Sequence, residues 1–340
     1  MGPPKKRMIL MLGFLLVFVL ALASCSQEPE EVEVEVTRVV EVAGETTEVE
    51  VTRVVEVPVE VEVEVPGEPA VVVPFEEEWA GSGHADAMAE AFVHWDEDDP
   101  AEVPTACAKC HSTPGFQAFV GADGSEFGVV EEAAPIGTTV ECEACHNDAT
   151  LALDSVVFPS GMEVTGLGGE ARCMQCHQGR HSTVSVNQSI VDAGLGEGDE
   201  DTVSEDLGFS NIHYYAAAAT LYGTAAKGGY EYDGMAYDGK FDHVAGYDGC
   251  TDCHNPHTLE VKVEECTACH TDVSSAEDLV NIRMPGSAVD YDGDGDTDEG
   301  IIFEIEGLQE MLSEAMNAYA VEVSGSGLVY DAAAYPYFFD

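Results

Sequence analysis

Behind a short basic start, Lys5, Lys6 and Arg7, the chain runs apolar from Met8 to about Leu22. That falls short of the roughly 20 residues a membrane-spanning helix needs and matches the apolar part of an export signal. From residue 26 glutamate and valine alternate with the period of a β-strand. The run Val36-Thr37-Arg38-Val39-Val40-Glu41-Val42 returns as Val51 to Val57. Like charges facing one another across a sheet repel, and Pro58, Pro66, Pro69 and Pro74 interrupt what regularity there is. Residues 25–74 are therefore expected to form an extended, self-repelling tether, able to reach roughly 150 Å when fully drawn out; a small β-element or plain disorder is the alternative.

Beyond residue 75 the apolar positions come in short groups separated by Gly and Asp. Two stretches are rich in alanine, SGHADAMAEAFVHW (82–95), with Ser82 as its N-cap, and NIHYYAAAATLYG (211–223); both predict helices. Near the C-terminus, IIFEIEGLQEMLSEAMNAYAV places apolar residues at 301, 305, 308, 312, 315 and 319, one face of a 3.6-residue period. The expected fold class is mainly α with extensive irregular loops and little β-sheet. Its segments are a signal (1–24), the tether (25–74), a main domain (75–288) and a C-terminal loop with an amphipathic helix (289–340).

Charge narrows the partners. Twelve basic and 66 acidic residues give the chain a formal charge of −54. Loss of Lys5, Lys6 and Arg7 would leave 9 − 66 = −57. Nucleic acid is excluded as a ligand by so negative a surface; basic proteins or cations are favoured. GEGDEDTVSEDLG (196–208) is expected to be a solvated loop.

The candidate chemistry lies in the cysteines. C-x-x-C-H occurs five times, at Cys107/Cys110/His111, Cys142/Cys145/His146, Cys173/Cys176/His177, Cys250/Cys253/His254 and Cys266/Cys269/His270, using ten of the eleven cysteines. Zinc knuckles take such pairs two at a time and do not require a histidine after each. Disulfides have no use for the histidines. Two sulfurs three positions apart suit thioether links to one edge of a porphyrin, with the next imidazole turned onto the iron, so the pattern reads as five c-type haem sites. The remaining cysteine ends Leu22-Ala23-Ser24-Cys25, which resembles a bacterial lipoprotein box. Cleavage there would leave Cys25 carrying lipid; an ordinary secretory signal or an uncleaved anchor would equally place the protein outside the cytoplasm.

Eleven histidines less five leave His84, His94, His181, His213, His243 and His257, six imidazoles for five distal positions. The sixth ligand of each iron is expected from His84, His94, His213, His243 and His257, with His181, beside Arg180, as the spare. Methionine could serve in their place, with Met88, Met174 and Met235 in the region. On one helix His84 and His94 would stand about 15 Å apart, which suits two different irons. His257 follows His254 too closely to reach round its own porphyrin, so it should serve a neighbour. Arg172 and Arg180 could neutralise propionates, and Tyr214, Tyr222, Tyr230, Tyr232, Tyr237 and Phe241 are expected against the porphyrins.

Through CAKCH, CEACH, CMQCH, CTDCH and CTACH, and through CHNPH with its second histidine, residues 79–272 resemble the multihaem c-type cytochromes. The resemblance implies a haem-packed core, bis-histidine iron and electron relay in respiration, on the extracytoplasmic side of a bacterial membrane. It also implies redox partner proteins with basic surfaces. A reductase of nitrite, hydroxylamine or a sulfur oxyanion with one open iron, near Arg172, Arg180 and His181, is the enzymatic alternative. A subunit of a haem filament or surface conduit is the structural one.

DYDGDGDTDEGI (290–301) adds a candidate calcium loop. Asp290, Asp292, Asp294 and Asp298 fall at positions 1, 3, 5 and 9 of an EF-hand, with Gly295 at the sharp turn and the Asp296 carbonyl at position 7. Ile301 stands where a bidentate Glu is expected, and Glu299 or Glu304 is the available substitute. The aromatic end, AAAYPYFFD, is consistent with a chain that continues.

Overall fold

A computed structural model of the chain describes residues 38–42, 45–49 and 72–339. The expected export signal, Cys25 and most of the expected tether lie outside the described residues. Two compact units divide at Val72. In the first, β1 (Arg38–Val42) pairs antiparallel with β2 (Glu45–Val49). The paired register sets Val39 opposite Glu48, Glu41 opposite Thr46 and Val42 opposite Glu45. In this register no Glu is the Cα partner of another Glu.

The second unit, Val73–Asp340, is built of short helices and long turns. In order it holds α1 (Glu76–Ala80), α2 (Glu90–Val93), β3 (Glu102–Val103), α3 (Thr105–His111), α4 (Thr113–Val120), β4 (Ala134–Pro135), α5 (Cys142–Cys145) and α6 (Asp148–Leu151). Then come β5 (Ser155–Val157), β6 (Glu163–Thr165), α7 (Ala171–His177), α8 (Thr183–Asp192), α9 (Ala217–Tyr222), α10 (Cys250–Cys253) and α11 (Val263–Cys266). The long α12 (Ile301–Ser324), β7 (Val329–Tyr330) and β8 (Phe338–Phe339) close the chain. β3 with β4, β5 with β6 and β7 with β8 form two-stranded ribbons of two or three residues. The architecture is mostly helix and loop with little sheet, as the pattern predicts. Among the described residues no helix is long and apolar enough to cross a membrane.

Two expected helices are shorter than their alanine content implies. Only Glu90–Val93 is helical within 82–95, and Ser82 is a buried residue whose hydroxyl has no partner. Tertiary contact overrides propensity there: the His84 carbonyl accepts the Val140 amide at 3.1 Å, pulling residues 82–89 into turns. In the second stretch the helix begins at Ala217, four residues after His213, whose φ of 86° is left-handed.

Among the described residues there is no single core. One cluster gathers Val156, Phe158, Met174, Ala218, Ala219 and Tyr222. A second holds Trp95, Val103, Ala108 and Ala134. The third is Phe116, Val120 and Ala144. Each cluster contains one residue from between the cysteines of a motif, Met174, Ala108 or Ala144. The first three motif helices are thus pinned by that residue. Of the aromatics expected against porphyrins only Tyr222 is buried; Tyr214, Tyr230, Tyr232, Tyr237 and Phe241 are exposed. The apolar stripe of α12 also faces outward at Ile301, Ile305, Leu308, Leu312 and Tyr319, and Glu304 is the helix's one buried residue.

Candidate functional site

Each of the first four motifs is held by bonds from outside itself. Ser112 caps α4 by accepting the Gly115 amide at 3.0 Å. Gly115 lies so close to α3 that a β-carbon on it would stand 2.3 Å from the Ala108 carbonyl oxygen. The Thr113 hydroxyl donates to the Thr139 carbonyl (2.7 Å) and accepts the Glu141 amide (2.8 Å), tying the end of the first motif to the start of the second. Asn147 accepts the Thr150 amide and donates to the Glu143 carbonyl, closing the second motif. In the third, Gln175 donates to the Ser155 carbonyl at 3.0 Å. The Cys250 amide donates to the Glu170 carboxylate, linking the approach to the third motif with the start of the fourth.

The motif histidines are oriented through their inner nitrogens. Nδ1 of His111 bonds the Ala91 carbonyl (2.9 Å), that of His177 the Tyr215 carbonyl (2.8 Å) and that of His254 the Leu259 carbonyl (2.9 Å). A carbonyl can only accept, so Nδ1 carries the proton and Nε2 keeps its lone pair for a metal.

Opposite four of the five motif histidines stands a second imidazole. Ring centres are 5.8 Å apart for His111 and His213, 6.2 Å for His146 and His257, 6.4 Å for His177 and His84, and 6.1 Å for His270 and His243. Rings in direct contact approach to about 3.5–4 Å between atoms. Two imidazoles bound to one metal from opposite sides, at roughly 2 Å each and with ring centres about 1.1 Å behind the nitrogens, would stand about 6 Å apart. The spacing is that of an iron between them. Ring planes are inclined by 4°, 24° and 28° in three pairs and by 79° in the pair of His111 and His213.

Burial, with His177 opposite, lowers the His84 pKa to about 4. Burial lowers those of His111 and His213 as well. All three are neutral near pH 7 and need lose no proton to bind metal.

The other predicted residues fall elsewhere. His94 bonds the Glu90 carboxylate at 2.8 Å and sits on the edge of Trp95, not opposite a motif histidine. Its place beside a short helix of its own, four residues from Glu90, draws it into a local pair. His181 lies near the Ser185 hydroxyl, 3.3 Å away. Arg172 donates to the Gly169 carbonyl.

None of the ten motif cysteines pairs with another in a disulfide. Cys107, Cys110, Cys145, Cys173, Cys176, Cys250, Cys253 and Cys266 are partly buried, as sulfurs packed around a cofactor should be. Cys142 and Cys269 are exposed. Cys269 departs further. The helix α11 stops at Cys266, so Cys269 falls in the turn beyond it, its amide bonded to the Cys266 carbonyl at 3.2 Å. The fifth motif also adds no residue to the three apolar clusters, so its second sulfur is left toward solvent.

Cysteines of different motifs meet. The neighbouring Cys176 thiol holds the Cys110 pKa down to about 7 and Cys250 does the same for Cys173, while the Cys176 thiol donates to the Lys109 carbonyl at 3.8 Å. Among the described residues the groups of three or more ligand atoms within 4.8 Å of one another consist of carboxylates alone. Sulfur and imidazole therefore converge on no compact tetrahedral zinc site. Sulfur pairs at the motif helices, and imidazole pairs spaced about one iron, fit a covalently attached porphyrin.

Comparison with known proteins agrees. Residues 91–178, which contain the first three motifs, match the family described as cytochrome c7 and related cytochrome c. Across the first three motifs this chain is similar to the multihaem c-type cytochromes. It is 28% identical over 189 residues to the C-type polyheme cytochrome OmcC of Geobacter sulfurreducens (strain ATCC 51573 / DSM 12127 / PCA), an alignment covering 46% of this chain and 23% of that protein. The chain thus spans about a quarter of that relative. No solved structure matches it. Haem c is covalently bound in this family, and electron transfer is the work such cytochromes do.

The carboxylate groups lie at the C-terminal loop: Asp290 with Asp292 and Asp294, and Asp292 with Glu299 and Glu304. Asp296 and Asp298, positions 7 and 9 of the expected loop, are in neither group. Glu304 accepts from the Arg283 guanidinium (2.7 Å) and from the Tyr291 and Asp292 amides (2.6 and 3.1 Å). Glu304, one of the two substitutes the sequence offers, is brought under the loop because α12 begins at Ile301.

Proposed function

We propose that this cytochrome is an extracytoplasmic, membrane-anchored electron carrier that relays electrons through five covalently bound haems in a respiratory chain. The four imidazole pairs at iron spacing carry the reading. Bound haem supplies a one-electron iron couple. His111, His146, His177, His254 and His270 are the proximal ligands. His213, His257, His84 and His243 close the first, second, third and fifth sites from the far side. Imidazole on both sides holds iron at low potential relative to a methionine ligand.

The cysteine contacts propose the path. Cys176 and Cys173 of the third motif touch the first and fourth motifs, and Cys266 of the fifth acts electrostatically on Cys253 of the fourth. Third-motif sulfurs would therefore join the first site to the fourth, and the fourth would lead to the fifth. His257 helps by reaching from the fourth motif to the iron of the second. A haem-to-protein ratio of five, with low-spin ferric signals in the electron paramagnetic resonance spectrum, is expected. Colourless mature protein, or one containing zinc, would sink the proposal.

Two subsidiary proposals belong to it. Cys25 carries the lipid, so Cys25→Ser should release the protein from the membrane fraction. Asp290, Asp292, Asp294 and Glu299 hold one calcium ion that fixes the start of α12. Calcium should raise the unfolding temperature, and Asp292→Asn should abolish that rise.

A further inference from the structure

All eleven histidines lie among the described residues, and four pairs account for eight. The three left are His94, His181 and His254. His94 is held by Glu90 on one side of Trp95, and His111 packs on the same indole at 5.3 Å. His181 stands near Ser185, and its charge acts on His213. Both spare imidazoles thus sit around the first site, which His111 and His213 already fill.

His254 is differently placed. It is exposed, and its Nδ1 is fixed by the Leu259 carbonyl at 2.9 Å, so Nε2 is free to hold iron. The chain after it folds straight back on the motif. Asn255 donates to the Glu260 carbonyl at 2.9 Å and Lys262 to the Cys253 carbonyl at 2.8 Å. This tight return carries His257 onto the Phe75 ring, 4.5 Å away and 5° from parallel, and opposite His146. His257 is thereby committed to the second site. No imidazole of this chain stands at iron spacing from His254. The groups acting on Cys253 beside it are Cys266, the Asp252 carboxylate, the Lys262 ammonium and the Glu170 carboxylate; the two carboxylates outnumber the one cation, a surround that disfavours an anionic ligand.

We infer that the fourth site, held by Cys250, Cys253 and His254, leaves the far side of its iron open to a small, neutral, exchangeable ligand. The inference rests on the proposed five-haem reading and adds a ligand-binding centre to the relay. Its position suits such a role. Cys250 touches the third motif and Cys253 senses the fifth, so electrons could reach the open iron from either neighbour.

The test uses the full-length mature protein. The haem-to-protein ratio is measured first. The dithionite-reduced protein is then titrated with carbon monoxide, and the ferric protein with nitric oxide and separately with azide, at high dilution. The expectation is five haems, one carbon monoxide bound per chain, one high-spin ferric signal, and a response to nitric oxide without one to azide. His94→Ala and His181→Ala should leave the carbon monoxide stoichiometry at one. A haem ratio below five overturns the relay reading and this inference with it. Five haems that are all low-spin and bind no carbon monoxide overturn the inference and leave the relay standing. A methionine-to-iron absorption band, or a low-spin fifth signal that converts to high-spin on dilution, also overturns it, by assigning the ligand to a thioether or a second copy. An equal response to azide overturns the assignment of a neutral ligand.

Discussion

The Ala91, Tyr215 and Leu259 carbonyls give His111, His177 and His254 a fixed tautomer before any metal arrives. Such bonds cannot be seen in a motif, because the accepting residue comes from a turn or a distant segment. Six non-motif histidines beside five motifs suggest five distal ligands, whereas four imidazole pairs form and neither His94 nor His181 faces His254. Which histidine meets which was not legible, since His84 and His177 are brought together only by the fold. Nor does the motif tell that Cys269 would be exposed, because exposure follows from where α11 ends. His257→Ala should convert the second site from low-spin to high-spin, visible as the loss of one low-spin signal in the paramagnetic resonance spectrum. A spectrum unchanged by this substitution would remove His257 from the ligand set.

At the level of the elements, alanine content misled at 82–95 while the long α12 was read correctly from its period. Length decides the difference: a helix of 24 residues sustains itself on local bonds, whereas a few turns yield to tertiary contacts such as that between Val140 and His84. What periodicity did not tell is that α12 would leave its apolar stripe in solvent, because the facing surface lies outside the pattern. The packing of α3 on α4 depends on Gly115. Gly115→Ala forces a β-carbon into the Ala108 backbone and should cost about 1–3 kcal/mol, as overpacking does, with loosening of the first haem site read in its reduction potential. The C-terminal loop depends on Glu304. Burial alone would raise its pKa, but the Arg283 guanidinium and the amides of Asp292 and Tyr291 outweigh that and hold it below the usual carboxylate range. A depressed carboxylate stabilises the fold above its unfolded pKa and ceases to do so as pH falls through its folded one. Acidification below the carboxylate range should therefore release α12 from Arg283, detectable as accelerated amide hydrogen exchange over residues 283–304. Arg283→Met should produce the same exchange at neutral pH.

At the scale of the whole molecule, three small clusters stand in place of a continuous core among the described residues, and the segment between them is organised by the cysteine motifs. So little apolar burial for a chain of this length is consistent with porphyrins completing the interior. The formal charge of −54 then acts on the cofactors as well as on partners. A negative field favours the more positive, ferric state and lowers every reduction potential; salt screens that field, with a Debye length of about 10 Å at 0.1 M. Potentials measured by voltammetry should accordingly rise as ionic strength rises, most at the exposed fourth site, where His254 reaches the surface. Association with a basic redox partner should respond in the opposite sense. Steering by charge accelerates encounter by about 10–1000-fold at low salt, so the second-order rate of electron exchange should fall at least tenfold between dilute buffer and half-molar salt, while a neutral small-molecule reductant shows little change. If both rates were insensitive to salt, the acidic surface would have no part in docking, and the proposal of a basic partner would fail.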